Sequence, residues 1–229
     1  RFAVFSDLHI VEDTSRLKLA LDAFSEIGGI DGMFMVGDLV YLNVKDRIND
    51  EDKAKYDKLY NVIGEYADLK DVPLAYGMGN HEFPQGTTDE TISKAAIELF
   101  KQKTGKQPNE VQEMNGYTVV TVSPEAYSNK ISAETEAWAK EQILAARAKD
   151  ASKPIFYLQH APVAGTVLND AGTVNSEEFL SWIKQQKGVI NFTAHVHASL
   201  WDPRGIWQSD AGFTAIESSV LGGGYLNKQ

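Results

Sequence analysis

The sequence predicts an α/β fold, and three observations carry that expectation. Short apolar runs suited to buried strands alternate with stretches of helical periodicity. Asn115-Gly116, flanked by two such runs, is a strong hairpin signal, so some antiparallel pairing and mixed sheets are expected. Five small polar clusters each follow directly on an expected strand, the place where open α/β sheets bind their ligands.

In chain order, Phe2-Ala3-Val4-Phe5 reads as a buried strand ending at Ser6-Asp7. Residues 14–27 carry Leu17, Leu21, Phe24 and Ile27 at helical spacing until Gly28-Gly29 breaks the pattern. Met33-Phe34-Met35-Val36 is a second strand and ends at Gly37-Asp38; a helix is expected over residues 51–67. Residues 72–76 form a third strand, ending in Gly77-Met78-Gly79-Asn80-His81. A helix over 90–103, the hairpin strands 111–114 and 117–122, and an alanine-rich helix over 133–149 follow. Residues 155–158 read as a strand before Gln159-His160, 177–186 as a helix, and 189–193 as a strand before Ala194-His195. After the turn Asp202-Pro203-Arg204-Gly205, residues 213–219 read as a last strand. No repeat, low-complexity tract or linker interrupts residues 1–229, which read as one domain.

At 229 residues the chain can bury a substantial core, and 43% hydrophobic with 24% charged residues is ordinary for a soluble globular protein. A net charge of −10 speaks against a basic nucleic-acid-binding surface and against docking on anionic lipid. It also means that any power to bind phosphate must come from a local positive source, such as bound metal ions. The absence of cysteine excludes disulfides, zinc–thiolate sites and cysteine nucleophiles, but does not choose between a cytoplasmic and a secreted or cell-surface setting. No run approaches the roughly 18 apolar residues of a membrane span. The chain begins at Arg1 and enters a strand at once, as a processed or excised segment would.

All five histidines fall within or directly after the polar clusters. In Asp7-Leu8-His9 a carboxylate and an imidazole point the same way if the strand continues, and can then share one ion. Alone, the pair suits a cap at Asp7 and a surface histidine better than a metal site. Gly37-Asp38 suits either a turn or a carboxylate bridging two cations. In Gly79-Asn80-His81-Glu82 an amide oxygen is a hard neutral ligand, and the adjacent histidine can face a substrate and donate a proton. The same residues also suit a glycine turn with Asn80 left-handed. His160, held extended before Ala161-Pro162, fits a satisfied core position as well as a ligand. His195-Val196-His197 sets two imidazoles at strand spacing, able to serve neighbouring ions or to lie exposed on an edge strand.

Taken in order, Asp-x-His, Gly-Asp, Gly-Asn-His-Glu, His and His-x-His resemble the calcineurin-like metallophosphoesterase superfamily. The resemblance runs from residue 7 to residue 197 and includes the helices between motifs. Ala194 stands where a glycine usually precedes the last His-x-His, and Leu39-Val40-Tyr41-Leu42-Asn43 lies where members vary; neither departure removes a ligand. The resemblance implies a four-layer α/β/β/α sandwich of two mixed sheets, with metals at the carboxyl ends of strands. It implies that Asp7, His9 and His197 bind one metal, that Asn80, His160 and His195 bind a second, and that Asp38 bridges them. Oxygen and nitrogen ligands without sulfur suit divalent or trivalent Mn, Fe, Zn or Ni. The implied activity is phosphoester hydrolysis by a hydroxide held between the metals. His81 would protonate or orient the leaving oxygen, its ring held by Asp7 or Glu82.

The expected partner is a small phosphorylated substrate, a phosphodiester or a nucleotide, rather than a long nucleic acid, because the chain has no basic stripe. Tyr41, Asn43, Phe83, Trp201 and Trp207 lie near motifs and could line its pocket, whereas Arg204, in a turn, reads as solvated. A catalytically silent relative serving as a protein-interaction scaffold is the alternative, and the intact ligand set counts against it. A purely structural metal domain would leave His81 unexplained. Nothing in the sequence sets the oligomeric state.

Overall fold

The computed structural model describes residues 1–169 and 174–221. Strand β1 (Phe2–Phe5), helix α1 (Ser15–Ile27), β2 (Gly32–Val36), helix α2 (Asp50–Gly64) and β3 (Leu74–Gly77) form the first half. The three strands pair in the order β1-β2-β3, all parallel. The expectation of two mixed sheets is therefore corrected for this one. Its strands are joined by helical crossovers, and the hairpin signal that implied mixing lies only in the second half. Helix α2 also ends before residue 67, because the chain closes turns through Tyr66 and Leu69 instead.

Helix α3 (Glu90–Thr104), capped by the Asp89 carboxylate, leads into the hairpin β4 (Glu110–Met114) and β5 (Tyr117–Val122). Its two-residue turn has φ of 48° at Asn115 and 78° at Gly116, the left-handed pair such a tight turn requires. Helix α4 (Ala133–Lys149), β6 (Ile155–Gln159), α5 (Glu177–Ile183), β7 (Val189–Thr193), β8 (Ile206–Gln208) and β9 (Thr214–Glu217) complete the described elements. The second sheet has the order β4-β5-β6-β7-β9-β8, with β5, β6, β7 and β9 parallel and antiparallel pairs at both edges. Three-residue β8 was not foreseen; its Ile-Trp-Gln is too short to show a period.

Alternation along the strands explains how two sheets bury their faces. In β2, Met33 and Met35 join an apolar cluster with Leu17 and Leu21 of α1, Tyr56 and Leu59 of α2, and Phe100 of α3. Their neighbours Phe34 and Val36 point the other way, into a cluster with Val119, Phe156, Leu158 and Ala194 from the second sheet. That sheet's remaining face, including Val120, Tyr157 and Val189, packs with Ala139 and Ile143 of α4 and Phe179 and Ile183 of α5. A strand apolar at every position, such as Gly32–Val36, is thus buried on both sides.

Phe34 is fully buried, stacks on Phe2 at 4.9 Å between centroids and contacts the rings of Phe156 and Phe192 at 5.3 and 5.8 Å. Replacing it by alanine opens a cavity between the sheets, and Phe34→Ala is expected to lower stability by about 3–5 kcal/mol in urea unfolding.

Candidate metal centre

The clusters that follow β1, β2, β3, β6 and β7 meet at the carboxyl ends of those strands. Their backbones are tied before any ligand atom is considered. Past the end of β1 and β2, Asp7 N–H donates to the Gly37 carbonyl at 3.1 Å and His9 N–H to the Asp38 carbonyl at 2.9 Å. The Glu82 carboxylate, fully buried, accepts from the amides of Asp38 and Leu39 at 2.8 Å, Val40 at 3.3 Å and Gly79 at 2.6 Å, and from the Tyr76 hydroxyl at 3.0 Å. His160 is fixed through its carbonyl, which accepts from Ala194 N–H at 2.8 Å and the Thr193 hydroxyl at 2.9 Å.

Two acid–histidine groups result. Asp7, His9, Asp38 and His197 offer ligand atoms within 4.8 Å of one another, and so do Asp38, His160 and His195. Asp38 belongs to both: its Oδ2 lies 3.4 Å from His9 Nε2 and 3.1 Å from His160 Nε2, while its Oδ1 accepts from His81 N–H at 2.7 Å. Asp7 Oδ1 lies 3.0 Å from His197 Nε2. Strand geometry does not produce these approaches. Asp7 and His9 have φ of 51° and 50°, Asp38 54°, and His195 and His197 74° and 53°. The expectation that Asp7-x-His9 and His195-x-His197 project like strand residues is corrected accordingly. Left-handed backbone swings His195 to one group and His197 to the other. Of nine non-glycine residues with positive φ among those described, five are these candidates, the clustering that functional strain produces.

The buried atoms fit a cation. His160 Nδ1 donates to the Val36 carbonyl at 2.7 Å, which fixes the tautomer and leaves the lone pair on Nε2. That Nε2 is buried and makes no hydrogen bond, although Asp38 stands beside it. Burial opposes charge on His160 more than any other influence, yet the Asp38 and Asp7 carboxylates together with the Val36 carbonyl push its pKa up to about 10. The site therefore draws positive charge to Nε2, and a cation there would displace the proton. Burial would raise Asp38, but His160, His9 and His81 hold it well below the usual carboxylate range.

A family model described as calcineurin-like phosphoesterase matches residues 1–199. The chain belongs to that family. No curated protein matches it. Family membership and the two acid–histidine groups support a metal-dependent phosphoesterase in general terms. No helix among the described residues is long and apolar enough to cross a membrane.

Other expected residues of this phosphoesterase are placed as follows. Asn80, nearly buried, opens a short turn (Asn80–Glu82), and its Oδ1 accepts from Asn129 Nδ2 at 3.3 Å. His81 lies next to His9, 5.0 Å between ring centroids. Glu82 spends its carboxylate on backbone amides, so the expectation that it holds the His81 ring is corrected. Asp7 does not hold the ring through Nδ1 either, since that atom is buried without a partner. Among the suggested pocket aromatics only Tyr41 adjoins the centre, 4.4 Å from the His81 ring. Phe83 is core, Trp207 packs on Phe213, Trp201 is 93% exposed, and Asn43 faces Lys55. Arg204 is exposed, as expected, and pairs with Asp202 at 2.7 Å. Tyr127, 5.7 Å from His81, and Asn129 were missed, because Ala126-Tyr127-Ser128-Asn129 carries no motif. Ala194 has no positive φ, so its backbone does not require the family's glycine.

Gly79 has no room for a side chain: a Cβ there would stand 2.3 Å from Asp38 Oδ1 and 2.7 Å from the His160 ring. Gly79→Ala is expected to displace Asp38 and weaken Mn²⁺ binding about 10–100-fold in calorimetric titration. Gly64→Ala, where a Cβ meets nothing within 4 Å, should leave binding unchanged.

Proposed function

We propose that the chain hydrolyses a small phosphorylated substrate, a phosphodiester or a nucleotide, with two metal ions held by the converging loops. The observation that carries this reading is the shared Asp38 carboxylate, which stands in both acid–histidine groups. In this reading Asp7, His9 and His197 hold one ion, Asn80, His160 and His195 hold the other, and Asp38 bridges. The family and the nitrogen and oxygen donors support Mn, Fe, Zn or Ni. When bound, such ions activate water and neutralise charge on the phosphoryl oxygens. The layers would stack α/β/β/α, supported by three apolar clusters that lie between helices and sheet, sheet and sheet, and sheet and helices.

His81 is the histidine left over from the ligand set. Its Nδ1 is buried, so Nε2 is the nitrogen that can meet a leaving oxygen. Burial pushes its pKa down to about 4, which keeps the ring neutral, so that it orients the leaving oxygen by donating a hydrogen bond rather than by giving up a proton. Tyr41 and Tyr127 flank it and narrow the space beside the leaving group.

The first experiment is metal content together with turnover of bis(p-nitrophenyl) phosphate and p-nitrophenyl phosphate after Mn²⁺ loading. Two ions with diester cleavage support the proposal, a preference for the monoester redirects it to phosphatases, and no bound metal sinks it. His81→Ala is expected to retain metal while turnover falls about 10²–10⁴-fold. Normal turnover in that variant would remove the role given to His81. Treating the loaded protein with EDTA should abolish turnover, and Mn²⁺ added in excess should restore it.

A further inference from the structure

We propose that Lys55, a buried residue of α2, is a positioning residue for His81 and acts through Tyr41. Lys55 is 2% exposed, and a lysine so buried must be paired. Asp52 supplies the charge at 2.8 Å, one helical turn earlier. The other Asp52 oxygen is engaged, accepting from the amide of Asn49 at 3.1 Å to close the helix N-terminus. The rest of the ammonium reaches out of the helix to the loop after Asp38: the Tyr41 carbonyl accepts from Nζ at 2.6 Å and Asn43 Oδ1 at 3.3 Å.

That loop borders His81. Tyr41 N–H donates to the Ile10 carbonyl at 3.2 Å, and Leu42 N–H to the His81 carbonyl at 3.0 Å. The Tyr41 ring lies 4.4 Å from the His81 ring, tilted by 41°, and Tyr127 stands across from it at 5.7 Å. With His81 Nδ1 making no hydrogen bond, ring packing sets the rotation of the imidazole, and Tyr41 is the nearest ring. The backbone of Tyr41 is in turn clamped by Lys55. An apolar side chain could fill the same space but could not bind that carbonyl, which would be left with one partner fewer. The chain of contacts therefore runs from the Asp52–Lys55 pair to the Tyr41 backbone, to the Tyr41 ring, to His81.

The inference rests on the reading that His81 assists the leaving oxygen. A misplaced His81 matters most for a leaving group that departs poorly unaided, and a small displacement can cost about 10²-fold. The test compares Mn²⁺-loaded Lys55→Met with the parent on bis(p-nitrophenyl) phosphate and on diphenyl phosphate. The expected result is unchanged metal content and KM, with kcat on diphenyl phosphate falling about 10–100-fold further than on the p-nitrophenyl ester. Lys55→Arg, which can still reach the carbonyl, should recover part of the loss, and Lys55→Met should add nothing in a His81→Ala background. Because Lys55→Met strands Asp52, Asp52→Asn/Lys55→Met is measured alongside it as a charge-free pair. The His81 imidazole signals in a ¹H–¹³C spectrum, assigned by their loss in His81→Ala, should move in both variants more than those of His195. Equal losses on both esters, or unmoved His81 signals, would overturn the positioning role. If His81→Ala itself shows no dependence on leaving group, the parent reading fails instead, and the imidazole spectrum still decides whether Lys55 fixes the ring.

Discussion

Everything at the strand ends hangs on one buried carboxylate. Burial and the nearby Asp38 raise the pKa of Glu82, while the amides of Gly79 and Asp38 and the charge of His160 act to lower it. What makes the carboxylate tolerable there is the set of four amides and one hydroxyl that converge on its two oxygens. The four amides belong to the loops after β2 and after β3, past the last rung that pairs those two strands, and the hydroxyl is that of Tyr76 within β3. Glu82 thus continues the pairing of β2 with β3 by other means. It fixes the backbone of Asp38 against that of Gly79, and so the carboxylate shared by both acid–histidine groups against Asn80 and His81.

Charge is used in two different ways in this acidic chain. Pairs such as Lys18–Glu65 and Lys58–Glu12 lie at the surface, where solvent and salt leave little net interaction. The Asp52–Lys55 pair and the Asp7, Asp38 and histidine cluster are withdrawn from water, where each charge demands a partner of defined geometry. The buried set therefore contributes less to holding the fold than to choosing one arrangement of loops among many that would satisfy the same hydrophobic core.

How much of this was legible in the sequence follows from the range of the forces involved. Strand positions were readable because runs such as Met33-Phe34-Met35-Val36 are buried on both faces, and the site was readable because its motifs sit at the ends of those runs. Sheet composition was not, since a hairpin between residues 110 and 122 says nothing of how Phe2–Phe5 and Leu74–Gly77 pair. The left-handed backbone of Asp7, His9, His195 and His197 was hidden as well: Asp and His tolerate positive φ but do not announce it. Glu82 was seen as part of a motif, yet its target is backbone, which carries no sequence signature. Lys55, Tyr127 and Asn129 reach the centre only through tertiary packing, far from any cluster.

The Asp7–His197 contact joins residues 190 positions apart, and Asp38 meets His160 across the boundary between the two sheets. During synthesis the chain carries Asp7, His9 and Asp38 into solution long before His195 and His197 exist. The set of candidate ligands is complete only when the chain after β7 has docked, a contact of large sequence separation that is slow to form. Once it is complete, an ion held there would span the two sheets as a covalent bridge would, in a protein whose sequence contains no cysteine to make one.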